Sequence, residues 1–153
     1  ENREIPPLDH ALVLRMKARF PELTICLNGG VATLEQARAL LDQGLDGVMI
    51  GRAAYHDPAH VLIGADALWG DFHAPSREVV VQAMVPYIAA HLASGGRLHQ
   101  ITRHMLGLFH GCPGARGWRQ ELSTGGARDG AGLEVLDRAL DRLVQAAPVA
   151  GAA

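Results

Sequence analysis

Apolar side chains at Leu8, Leu12, Val13 and Met16 recur as one face of a helix and predict an amphipathic helix over 8–19, begun after Pro6-Pro7 and stopped by Pro21. Thr24-Ile25-Cys26-Leu27 follows as a short apolar run of strand formers ended by Asn28-Gly29-Gly30, the pattern of a buried parallel strand entering a tight turn. Thr33 with Gln36 is a capping-box signature, and Leu34, Ala37, Leu40 and Leu41 form the buried face of a helix closing near Gly44. Asp46-Gly47-Val48-Met49-Ile50 reads as a second buried strand, again closed on glycine at Gly51-Arg52. Strand, capped helix and strand within about thirty residues make a βαβ unit with parallel strands. Residues 53–63 read as a short helix interrupted at Asp57-Pro58.

After Pro75 the alternation of strand and helix patterns gives way to helices alone. Val79, Val80, Ala83, Met84, Ile88 and Leu92 mark the first, from Pro75 to Ala93; Leu98, Ile101, Met105, Leu106 and Phe109 mark the second. Ala115 to Leu122 is the third, and Leu133 to Val144, with Leu136, Ala139, Leu140 and Leu143, the fourth. Four helices joined by short turns predict a small antiparallel four-helix bundle. The expected organisation is therefore an α/β part over 1–63, a linker over 64–74, a helical domain over 75–147 and a frayed tail over 148–153.

Composition changes this picture little. With 153 residues, 48% apolar and 20% charged, the chain has a core's worth of hydrophobic residues and does not resemble disordered or collagen-like sequences. No apolar run approaches the roughly 20 residues of a membrane span, and two distant cysteines indicate neither a zinc ribbon nor a disulfide framework. A soluble, cytoplasmic protein in a reducing compartment is expected. The chain opens at Glu1 without an initiator Met, which suggests a piece of a longer protein.

Charge distribution matters more than the net charge of -2. Acids outnumber bases ten to six before residue 74, whereas residues 74–128 carry six arginines against only Glu78 and Glu121. A basic middle beside an acidic start suggests two modules with different partners, the basic one having the sign that suits a phosphate backbone. A merely solvated helical surface accounts for the same imbalance.

The candidate chemistry lies at the two glycine turns. Asn28-Gly29-Gly30 and Gly51-Arg52 fall at the carboxyl ends of adjacent parallel strands, the edge at which α/β sheets bind ligands. Glycine lets backbone N–H groups approach an anion, a helix beginning after Gly51 adds a positive end, Arg52 offers a forked contact to phosphate oxygens, and Asn28 offers one to a ring or ribityl group. Such a pair of turns describes the phosphate site of the last two strands of (β/α)8 barrels, a reading preferred here to the alternative of two ordinary turns.

Several phrases, in one order, carry a resemblance to a known family: Asn2-Arg3-Glu4-Ile5-Pro6-Pro7-Leu8, Asn28-Gly29-Gly30, the run Asp46 to Tyr55, Ile101 to Phe109, Pro113-Gly114-Ala115-Arg116 and Trp118-Arg119. Together they resemble the C-terminal half of a tRNA-dihydrouridine synthase of the A type, over nearly the whole chain and most weakly after Gly125. The resemblance implies the last part of an FMN-binding (β/α)8 TIM barrel followed by a helical tRNA-binding domain. It places the FMN phosphate on Asn28, Gly29, Gly30, Gly51 and Arg52, and tRNA contacts on Arg3, Arg116 and Arg119. It also implies reduction of uridine to 5,6-dihydrouridine in tRNA with NADPH as reductant.

Arg116 and Arg119 lie one helical step apart and leave the same face, with Trp118 as an anchor; Arg103 either reinforces the basic surface or packs beside Phe109. No catalytic residue is expected here. The resemblance implies that the cysteine acid, and the lysine and histidine that contact flavin and substrate, belong to a missing N-terminal barrel half, so the chain alone is expected to be inactive. Cys26 and Cys112 are expected to be structural, His56 and His60 a surface pair rather than metal ligands, and His104 and His110 surface or packing residues. Two other readings remain at this stage: a flavin barrel acting on small metabolites, and a non-catalytic RNA-binding module.

Overall fold

The computed structural model of the protein describes residues 8–146, so Arg3, the phrase before Leu8 and the tail lie outside the described residues. In chain order the elements are α1 (His10–Arg19), β1 (Cys26–Asn28), α2 (Leu34–Asp42), β2 (Gly47–Met49), α3 (Arg52–His56), α4 (Pro58–Val61), a 3-10 helix (Ala65–Trp69), α5 (Arg77–Ala93), α6 (His99–Thr102), α7 (Ala115–Gln120), a π turn (Glu121–Gly125) and α8 (Glu134–Ala146). They fall into two compact units. The first comprises the chain through Ala54 with His60–His73; the second comprises Tyr55–Ala59 with the chain from Ala74 onward.

The first unit is built on the βαβ arrangement. β1 and β2 pair in parallel with Cys26 opposite Gly47, Leu27 opposite Val48 and Asn28 opposite Met49. Asp9 caps α1 by accepting from the Leu12 N–H, and Thr33 caps α2 by accepting from the Gln36 N–H at 3.2 Å. The Gln36 side chain reaches back to the Ala32 N–H at 2.8 Å, one residue before the position a capping box predicts. Leu27, Val31, Ala37, Leu40 and Leu45 form the core, with Val13, Leu14, Ile25, Val48 and Leu68 packed against it. Segment 64–74, expected as a linker, contains the 3-10 helix, whose Ala67 carbonyl accepts from Arg38 Nη2 at 2.9 Å.

Two expectations about this unit are corrected. The inward face of α1 is Val13 and Leu14, whereas Leu12 and Met16 are exposed, because the register of the core is set by β1 and α2 rather than by α1's own apolar spacing. Nor are the strands buried throughout: Leu27 is 1% exposed, but Cys26 and Asn28 on the opposite face of the pleat are exposed, as is Met49 at 50%. In the described structure helices cover one face of this two-stranded sheet, so alternate residues face outward.

Lys17 ties the unit together in a way no periodicity reveals. Its Nζ donates to the Pro21 carbonyl at 3.0 Å and the Leu23 carbonyl at 2.8 Å, and it meets Asp46 Oδ2 at 2.7 Å. Asp46 Oδ2 also accepts from the Ile25 N–H, so the start of β2 is pinned to the lead-in of β1. The Lys17 contact first, and the Ile25 N–H second, hold the Asp46 carboxyl below its ordinary value. A depressed carboxylate contributes stability that is present above its unfolded pKa and lost as pH falls through the folded one. Asp46→Asn is therefore expected to lower the melting temperature near pH 7, and the gap from wild type should narrow in melts recorded near pH 2.

The second unit is centred on Trp118, which is fully buried, donates from Nε1 to the Met105 carbonyl at 3.1 Å and meets Phe109 edge-on at 4.7 Å. Ile101, Thr102, Leu122, Val135, Leu136 and Ala139 are buried in the same unit. Gly114 has φ +79°, and a Cβ there would lie 2.6 Å from the Arg142 carbonyl oxygen, so the turn into α7 accepts only glycine this close to α8.

Of the four helices expected, the second is corrected most. It is helical only over His99–Thr102 and continues to Gly114 as turns. The amides of Met105, Leu108, His110 and Cys112 each bond the carbonyl three residues back, while Trp118 Nε1 and Arg77 Nε take the Met105 and Leu108 carbonyls. In α5 the buried residues are Val81 and Ile88, and Val79 is exposed; apolar residues surround that helix on all sides, so spacing gives no phase. α7 ends in the π turn, where the Gly126 amide bonds the Glu121 carbonyl.

Candidate nucleic-acid and phosphate sites

Parallel pairing sets the carboxyl ends of β1 and β2 side by side, and the five residues expected to hold a phosphate meet there. Asn28, Gly29, Gly30, Gly51 and Arg52, with Met49 and Ala53, line one open hollow of about 410 Å³. Gly29 and Gly30 have φ of +124° and +71°, and a Cβ on either would approach the Leu8 side chain to 2.9 and 2.8 Å. The turn thus has a local reason for glycine, and the same absence of side chains leaves the hollow open. His10, which no motif or spacing marks, holds this turn from α1: its Nε2 donates to the Gly29 carbonyl at 2.8 Å. α3 is only five residues long, so the positive charge at this edge comes from the exposed Arg52 rather than from a helix end.

The donor set suits an anionic phosphate carried on a larger polar group. Arg52 offers a forked guanidinium, the glycine turn brings backbone close, and Asn28, exposed at the strand end, offers both a donor and an acceptor.

In the second unit the arginines sort into compensated and uncompensated groups. Arg97 meets Asp129 at 2.6 Å; Arg138 meets Glu121 at 2.7 Å, a contact that raises the guanidinium pKa further, and Arg142 lies 3.9 Å from the same carboxylate. Arg103, Arg116 and Arg119 are exposed and have no carboxylate partner among the described residues. Arg116 and Arg119 stand on α7, beside and behind the buried Trp118 that fixes the helix. Arg103 is exposed, and its Nε donates to His104 Nε2 at 3.0 Å. Arg3 lies outside the described residues.

The remaining candidates are placed as follows. His56 and His60 sit on separate short helices, α3 and α4, and no group of three or more potential metal ligands occurs among the described residues. Cys26 is exposed and Cys112 half-buried, and both are free thiols. His110 Nδ1 lies 3.0 Å from Asp57 Oδ2, and His104 joins Arg103 to the Tyr55 hydroxyl. No helix of the described residues is long and apolar enough to cross a membrane.

With paired strands presenting a polar hollow and a helical unit presenting uncompensated arginines, the chain matches the family model for dihydrouridine synthase (Dus) over residues 1–145, and it belongs to that family. Among curated relatives it is 54% identical over 137 residues to the tRNA-dihydrouridine(20/20a) synthase of Shewanella oneidensis, covering 89% of this chain and 41% of the relative. It is 50% identical over 145 residues to the protein of that name from Vibrio parahaemolyticus, covering 94% and 44%, and 49% identical over 141 residues to that of Escherichia coli K12, covering 92% and 41%. The chain thus spans less than half the length of these relatives.

Proposed function

We propose that the chain supplies the FMN-phosphate half-site and the tRNA-binding part of an enzyme that reduces uridine to 5,6-dihydrouridine in tRNA in the cytoplasm. In this reading residues 1–63 are the last part of a (β/α)8 TIM barrel, and 75–147 are a four-helix RNA-binding domain. The observation that carries it is the convergence of Asn28, Gly29, Gly30, Gly51 and Arg52 on one hollow at the carboxyl edge of adjacent parallel strands. Flavin held there would supply the hydride for the uridine C5=C6 bond and draw its electrons from NADPH, while the matching proton would come from an acid of the barrel portion that this chain does not span. Arg52 binds the phosphate by charge-assisted hydrogen bonds, Asn28 orients the attached polar chain, and His10 keeps the Gly29-Gly30 turn open by holding its carbonyl away from the anion. Arg116 and Arg119, joined by Arg3 and Arg103, bind tRNA phosphates and set the register of the RNA, which phosphate contacts do without reading bases.

Family membership and the uncompensated arginines favour this over a flavin barrel acting on small metabolites. The test joins the chain to the N-terminal portion of the Shewanella oneidensis relative that it does not span. The fusion is expected to purify yellow and to form dihydrouridine in unmodified tRNA with NADPH. Arg52→Ala should weaken FMN retention about tenfold while leaving tRNA affinity unchanged. A folded fusion that binds tRNA but neither retains FMN nor forms dihydrouridine would favour the non-catalytic RNA-binding module instead.

A further inference from the structure

We propose that Tyr55, Arg103 and Arg119 form one hollow that grips a phosphodiester of the bound RNA, with His104 positioning Arg103. The proposal rests on the RNA-binding reading above and names the group recognised at this place. An open hollow of about 420 Å³ in the second unit is lined by these residues together with His56, Asp57 and His110. A side chain at Gly107 would run into the His56 carbonyl, so the turn around Gly107 and the segment carrying Tyr55 lie against one another.

Proton positions follow from the hydrogen bonds. Arg103 Nε always carries hydrogen and donates to His104 Nε2 at 3.0 Å, so that nitrogen is the acceptor and the ring's hydrogen sits on Nδ1. His104 Nδ1 lies 3.1 Å from the Tyr55 hydroxyl oxygen, and therefore donates to it. The Tyr55 O–H is left to donate elsewhere, as are the terminal nitrogens of Arg103. Edge-on packing of the Tyr55 and His104 rings, 5.8 Å apart, holds the relay in place.

What faces the hollow is therefore a set of donors: the Tyr55 hydroxyl, the outer edge of Arg103 and the guanidinium of Arg119. Such a set recognises an acceptor-only anionic group, and a phosphodiester with two unesterified oxygens matches it. The acid lining the hollow, Asp57, is hydrogen-bonded to His110 at 3.0 Å, which softens its repulsion of an anion.

The test measures affinity of the 153-residue chain for an unmodified tRNA transcript across a salt series, with near-UV circular dichroism confirming that each variant is folded. Arg103→Ala should weaken binding about tenfold and flatten the slope of log affinity against log salt by about 0.7–0.9. Tyr55→Phe keeps the ring and should weaken binding about threefold without changing the slope. His104→Ala should weaken binding in the wild-type background and have a clearly smaller further effect beside Arg103→Ala with Tyr55→Phe, whereas a merely structural histidine would add its full loss in both. If Arg116→Ala, outside the hollow, weakens binding while Arg103→Ala and Tyr55→Phe leave affinity and slope unchanged, the hollow is overturned and the RNA-binding reading stands. If the wild-type chain binds no tRNA, both fall.

Discussion

Trp118→Ala is expected to destabilise the second unit by about 3–5 kcal/mol, the usual range for emptying a buried aromatic site. Trp118 has no solvent exposure, and its loss removes the edge-on contact with Phe109 as well as the indole donor to the Met105 carbonyl. Small domains hold only about 5–15 kcal/mol in total, so the variant should unfold at markedly lower urea concentration. Trp118→Phe separates the contributions. It keeps most of the ring burial, and the Met105 carbonyl still accepts from the Leu108 amide, so the cost should be nearer 1–2 kcal/mol. Urea titration followed by far-UV circular dichroism checks both, and an alanine variant unfolding at the wild-type midpoint would contradict the placement of this side chain.

Arg116→Ala combined with Arg119→Ala should lower tRNA affinity about a hundredfold at moderate salt, roughly tenfold for each lost phosphate contact. Both side chains are exposed and uncompensated on a helix whose buried residues are Ala115 and Trp118, so their removal leaves the core untouched and the melting temperature should stay within about 2 °C. The contrast is Arg138→Ala with Arg142→Ala: these guanidiniums already face Glu121, and their loss should change affinity far less than the first pair. Filter binding at several salt concentrations distinguishes the cases. Equal losses from both pairs would mean that overall charge, not the bare face of α7, drives association.

What could be read beforehand was the chemistry that acts locally. Thr33 and Gln36 cap α2, Asp57-Pro58 divides α3 from α4, and the two glycine turns meet because a βαβ crossover leaves them little choice. Trp118 as an anchor followed from being a large aromatic beside two arginines on one helix. The misses have different causes. α5 is apolar on every side, so no spacing could show that Val81 and Ile88 face inward. α6 gives way to turns after Thr102, where the Met105 and Leu108 carbonyls meet the side chains of Trp118 and Arg77, partners that lie far away in sequence. His10 on Gly29, Lys17 on Asp46 and Tyr55 on His104 are likewise joined across 19, 29 and 49 positions and leave no mark on local pattern.

Lys17 has one more consequence, because it is the single lysine of the chain. A lysine-specific protease therefore has one place to cut, inside α1, at a side chain already committed to three acceptors. Cleavage there requires the helix to unwind and the ammonium to leave the Pro21 and Leu23 carbonyls and Asp46 together. The rate at which the intact chain disappears then reports how readily α1 opens, with one product pair to follow and no signal from the arginine-rich second unit.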